Sequence, residues 1–88
     1  MLIPDTGRKI NLKLYASIRE ILETDRVDID WTENLTVGVL RKRLDESYPI
    51  LSIVKAQFTI SVNRKAADDR ELIRTGDEIA ILPPISGG

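Results

Sequence analysis

An α+β two-layer domain, in which a mixed sheet of four or five strands wraps around one main helix, is the fold this sequence predicts. Three observations lead there. Short segments with apolar residues at every second position recur at 10–15, 27–31, 58–63 and 78–82. One longer stretch, 37–48, places its apolar residues at helical spacing instead. With 88 residues, the chain has enough material for one core and not for two.

Residues 1–9 contain Pro4 and Gly7, show no period and read as a loose leader. Ile10, Leu12 and Leu14 then face one side of a strand, which puts Tyr15 on the other. Ser17 and Glu20 have the spacing of a capping box, and Ile18, Ile21 and Leu22 sit on a short helix. Val27, Ile29 and Trp31 alternate in a second strand, expected antiparallel to the first. Thr36 caps the main helix and Leu35 staples onto Leu40, with Val37, Leu40, Leu44 and Tyr48 along one face; Pro49 stops it. The basic triplet Arg41, Lys42 and Arg43 is read as solvated helix surface, because Asp45 and Glu46 stand beside it.

Residues 50–57 are read as a connecting segment, and Phe58, Ile60 and Val62 as the inward side of a third strand. From Arg64 to Arg74 the chain is polar, with a short edge strand expected at 65–67 and a helical turn at 71–74. Asp68 and Asp69 are two adjacent carboxylates without a further oxygen cluster, so they read as loop solvation and no metal site is expected. Gly76 and Asp77 turn the chain into the last strand, where Ile79 and Ile81 point inward and Leu82 outward. A central parallel pairing of the first and last strands would bring Tyr15 and Leu82 together on the outer face.

The chain then ends in Pro83-Pro84-Ile85-Ser86-Gly87-Gly88. Consecutive prolines lack amide donors and favour an extended form, so they end the strand and direct the last residues away from the body. Gly87 and Gly88 carry no Cβ and fit a slot too narrow for other residues. Such a slot would receive the α-carboxylate of Gly88, inert until ATP converts it to an acyl-adenylate. A glycine pair alone also suits an ordinary chain end; the order strand, Pro-Pro, apolar, small, Gly-Gly is narrower.

Composition excludes several classes. There is no cysteine and no histidine, hence no disulfide, no thiolate metal site, no thiol nucleophile and no imidazole for proton transfer near neutral pH. Such a chain supplies a substrate group to chemistry and not a catalytic one. The net charge of -1 gives no global reason for nucleic-acid or membrane binding. The first nine residues lack the apolar core of a signal peptide, so a cytoplasmic location is the default.

The segment from Leu72 to Gly88, together with Tyr15 to Glu20, Leu35 to Gly38 and Val62-Asn63, resembles the MoaD/ThiS family of ubiquitin-like β-grasp sulfur carriers. Within that family it is most similar to the small subunits of molybdopterin synthase. The resemblance implies that an E1-like adenylating enzyme (MoeB-like) activates Gly88 with ATP and that a sulfurtransferase system converts it to a thiocarboxylate. It further implies that the tail, residues Pro83, Pro84, Ile85, Ser86, Gly87 and Gly88, enters a MoaE-like large subunit. There it donates sulfur to cyclic pyranopterin monophosphate in two rounds, building the dithiolene of molybdopterin. Tyr15 and Leu82 correspond to apolar contacts with both partners, and no cofactor is bound by the chain itself. Carriers for thiazole, cysteine synthesis or tRNA thiolation share this chemistry. A ubiquitin-like modifier, in which a lysine attacks the Gly88 carbonyl, and a plain interaction domain are the other classes.

Overall fold

The computed structural model describes residues 8–84. Five strands form one sheet: β1 (Lys9–Leu14), β2 (Arg26–Asp30), β3 (Thr59–Val62), β4 (Lys65–Ala66) and β5 (Ile79–Leu82). Three helices accompany them: α1 (Ala16–Leu22), α2 (Val37–Ser47) and α3 (Ile50–Ile53). The strand order is β2-β1-β5-β3-β4, with β1 and β5 parallel at the centre and every other pair antiparallel.

The alternation in the strands decides which side is covered. Ile10, Leu12 and Leu14 of β1, Val27 and Ile29 of β2, Ile60 and Val62 of β3, and Ile79 and Ile81 of β5 all enter one core. Ile18 of α1, Val37, Leu40 and Leu44 of α2, and Leu51 of α3 complete it from the other layer. Each fully buried Leu or Ile contributes on the order of 1.5–3 kcal/mol by leaving water. Asn11 and Asp28 on the opposite sheet face stay exposed and bond to each other at 2.9 Å. No helix among the described residues is long and apolar enough to cross a membrane.

The first turn of α2 has its donors occupied. The Val39 amide bonds to Thr36 Oγ1 at 3.2 Å, as the cap pattern predicts. Val37 N donates to the Glu71 carbonyl and Gly38 N to the Asp69 carbonyl, each at 2.9 Å. The loop comes so close that a Cβ on Gly38 would lie 3.2 Å from the Asp69 oxygen. Glycine is needed there for clearance, and the loop takes the place of an anion at the helix end.

Several elements differ from expectation. No side chain caps α1: Tyr15 is its N-cap, and the Tyr15 carbonyl accepts from the amides of Ile18 (3.1 Å) and Arg19 (3.3 Å). The chain enters through Ala16 at φ 49, so Ser17 falls inside the helix and the Ser17–Glu20 box does not form. Residues 50–57 hold α3, which buries Leu51. The helical turn expected at 71–74 is extended instead, with Leu72 bridged antiparallel to Thr36, because that run must track α2 to seal its N-terminus. Tyr48 ends α2 as its C-cap, still packed on the core. Phe58 lies just before β3, half-buried under the Arg41 guanidinium at 5.2 Å.

The basic triplet is only partly solvated. Arg41 donates to the Phe58 carbonyl at 3.1 Å, and Arg43 to the Asp30 carbonyl at 2.8 Å and Thr32 Oγ1 at 3.1 Å. Both strap α2 to its neighbours, while Lys42 is exposed. Asp68 accepts from the Arg70 amide at 2.7 Å, and Asp69 lies 3.4 Å from Arg41. Asp68 is therefore used within the loop and Asp69 ties the loop to α2, and no cluster among the described residues has the groups to hold a metal.

Lys9 Nζ meets Asp30 Oδ1 at 2.8 Å across β1 and β2. That hydrogen bond, with the lysine charge behind it, holds the Asp30 carboxyl below the usual carboxylate range. The same bond raises Lys9. The Asp30 contribution to stability is present above the ordinary carboxylate range and is lost as pH falls through its folded pKa. The Lys9 contribution is present below the ordinary lysine value and is lost as pH rises through its folded pKa. The pair is intact across neutral pH. A carboxyl NMR titration of Lys9→Met should return Asp30 towards the ordinary value; an unchanged Asp30 would exclude the pairing.

Candidate functional site

The point from which the tail departs is fixed by β5, the middle strand of five. It is hydrogen-bonded on both sides, with Leu14 opposite Ile81 on β1 and Thr59 opposite Leu82 on β3. The parallel β1 and β5 therefore end together. Tyr15 continues the ladder one step beyond β1, its amide donating to the Ile81 carbonyl at 3.2 Å. Central placement matters because a segment leaving an edge strand can peel away with it, whereas β5 is held from two sides.

Alternation sorts the end of β5. Ile79 and Ile81 are buried, and Leu82 and Pro83 are half-buried on the way out; Pro84 is exposed. Tyr15 is 42% exposed, high for a tyrosine next to a core. It lines a small hollow on the outer sheet face with Lys13, Ser61 and Ala80, over which the Arg64–Glu78 pair (3.4 Å) also reaches. The structure thus brings Tyr15 and the Leu82 end of the central strand side by side, as the sequence predicts, although Tyr15 caps α1 and does not belong to β1. Ile85, Ser86, Gly87 and Gly88 lie outside the described residues, as do residues 1–7 of the leader.

The same corner holds side chains that the sequence alone does not single out. Lys13, Arg19, Asp25 and Arg26 share a second hollow with Tyr15, of about 210 Å³. They lie on β1, α1, the α1–β2 turn and β2, and only the reversal of the chain through α1 collects them. The one signal available in advance is Lys13, which sits two residues before Tyr15 and so on its face of the strand.

A mixed sheet in this order, closed over one long helix and sending its last strand out through the centre, defines a ubiquitin-like β-grasp domain. Its terminal strand ends at Leu82, one step along the ladder from Tyr15, with Pro83 half-buried and Pro84 exposed. Residues 12–88 match the ThiS family, and the chain belongs to it. The molybdopterin synthase sulfur carrier subunit of Dictyostelium discoideum is 32% identical over 86 residues, 93% of this chain and 99% of that one. Among solved structures, Haloferax volcanii small archaeal modifier protein 1 superposes with a TM-score of 0.76 at 26% identity, covering 90% of this chain and 100% of that one. A protein from the complex of subunits 1 and 2 of the Helicobacter pylori molybdopterin-converting factor shares the fold, with a TM-score of 0.62 at 21% identity over 91% of this chain and 99% of that one.

Proposed function

We propose that this chain is a sulfur carrier whose terminal Gly88 carboxylate is the reacting group, and that it serves molybdopterin synthase as the small subunit. The observation that carries the reading is the family match running through Gly88, joined by a sulfur-carrier relative aligned over nearly its whole length. The absence of cysteine adds a chemical reason. A carrier without a thiol has to place its sulfur on a carbonyl, and the terminal one is free of competing amide resonance.

A Gly88 carboxylate oxygen attacks the α-phosphorus of ATP on an E1-like (MoeB-like) partner, and pyrophosphate leaves. The outer sulfur of a persulfide on a sulfurtransferase attacks the acyl carbon and AMP leaves. A second thiol of the partners then breaks the acyl disulfide, forming a disulfide with the sulfurtransferase thiol and freeing the thiocarboxylate. In a MoaE-like large subunit the thiocarboxylate sulfur passes to the pterin precursor, and hydrolysis of the acyl group returns the carboxylate. Two sulfurs make a dithiolene, so two loaded carriers are consumed per product. The catalytic side chains are the partners', and ATP belongs to the activating enzyme. Tyr15 and Leu82 act as the apolar grip at the tail base, where large side chains beside a small polar rim concentrate binding energy.

Mass spectrometry of the protein purified from its own cells tests this. A fraction heavier by one oxygen-to-sulfur exchange, located at Gly88, is the expected result. The second reading, a protein modifier, is favoured by the likeness to small archaeal modifier protein 1. It predicts Gly88 in isopeptide linkage to lysines of other proteins, and finding those adducts without any thiocarboxylate would replace the carrier reading.

A further inference from the structure

We propose that Lys13, Arg19 and Arg26 form a cationic docking site for an acidic surface on the partner protein that receives the tail. The inference rests on the carrier reading and names the chemistry of the partner's contact surface. Three positive side chains and the single carboxylate of Asp25 line the hollow beside Tyr15. Among the described residues, none of the three cations has a side-chain hydrogen bond or an ion pair. Arg43 and Arg41 by contrast are committed to partners inside the fold. The chain as a whole carries a net charge of -1, so this corner runs against the global balance.

Position identifies the occupant. Tyr15 lines the hollow and its amide is bonded to Ile81, so the cations lie beside the base of the tail. A partner channel that holds the tail extended would carry the reacting carboxylate far from them. Six residues beyond Leu82 span about 20 Å when extended. At that separation, and with a Debye length of about 8 Å, the cations cannot act on the phosphates of ATP or an adenylate at Gly88. The surface that does face them, in any complex that swallows the tail to its base, is the rim of the partner's channel. Exposed cations at such a rim speed encounter and fix orientation more than they tighten the final complex. They complement the apolar grip of Tyr15 and Leu82, which has no long-range pull.

The test measures association of the full-length chain with the large subunit of molybdopterin synthase from the same organism, at about 50 and about 500 mM salt. The variant K13E/R19E/R26E should associate at least about tenfold more slowly at low salt, with its salt dependence flattened. Lys42→Glu, an exposed cation on α2, should behave as wild type. K13Q/R19Q/R26Q should show a smaller loss in the same direction; it serves if the charge-reversed chain proves unstable. Wild-type rates in both triple variants, together with weakened binding in Tyr15→Ala, would overturn the cationic site and leave the carrier reading standing. A wild-type chain that does not bind the large subunit at all would overturn both. Equally salt-sensitive binding of a short single-stranded oligonucleotide, abolished by the same substitutions, would assign the cations to nucleic acid and overturn the protein partner.

Discussion

Deleting Gly87 and Gly88 should abolish cellular molybdoenzyme activity while leaving the thermal midpoint of the domain unchanged. The first half comes from the proposed chemistry. Without those residues the terminal carboxylate lies on Ser86, two residues short, and a reacting atom displaced by even about 1 Å can cost a hundredfold in rate. The second half comes from the fold, since among the described residues every member of the buried core falls between Ile10 and Ile81. Adding one alanine after Gly88 should be as damaging as the deletion, because it converts the reacting carboxylate into a peptide carbonyl. An interaction domain with an idle tail predicts normal activity in both variants. Complementation of a strain lacking the chain, read by nitrate reductase or another molybdoenzyme, distinguishes the two outcomes.

Ile81→Ala and Leu82→Ala should part company, although they are adjacent. Ile81 is 0% exposed at the centre of the central strand, enclosed by the helical layer. Truncating it leaves a cavity that the surrounding rigid core fills only in part, costing about 3–4 kcal/mol. For a domain of this size each kcal/mol lowers the midpoint by about 4–8 °C, so a fall of more than about 12 °C is expected in thermal unfolding. Leu82 is half-buried on the outer face, and its truncation should cost about 1 kcal/mol or less. Its effect should be on the affinity for the large subunit instead. Equal destabilisation by the two substitutions would mean that the outer face is covered by the chain itself, and the apolar grip at the tail base would then be lost.

Which parts of this were legible in the chain has a physical pattern. Period-two alternation is a local property, so β1, β2, β3 and β5 could be read within one or two residues, together with their buried faces. The cap at Thr36 is likewise local, because its hydroxyl needs only the amide three residues on. Ser17 and Glu20 have equally good spacing, yet no box forms. The chain bends at Ala16 to keep Tyr15 bonded to Ile81, and that bond joins residues far apart in sequence. The extended run at Leu72 has the same origin: its conformation is set by the α2 amides it must satisfy, not by its own residues.

The order of residues was enough to establish a one-core α+β domain, the outward placement of Tyr15 and Leu82, the lack of thiol and imidazole chemistry, and a Pro-Pro to Gly-Gly ending. Those depend on residue type and on spacings shorter than one element. It took the folded arrangement to establish that β5 is held between β1 and β3 at the middle of the sheet, and that Lys13, Arg19 and Arg26 share one hollow beside it. The central parallel pairing of β1 with β5 was expected from the chain and is found. The pairing of β5 with β3 on its other side and the shared hollow were not, because the convergence of distant side chains is set by how whole layers pack, and no window along the chain contains both sides of such a contact.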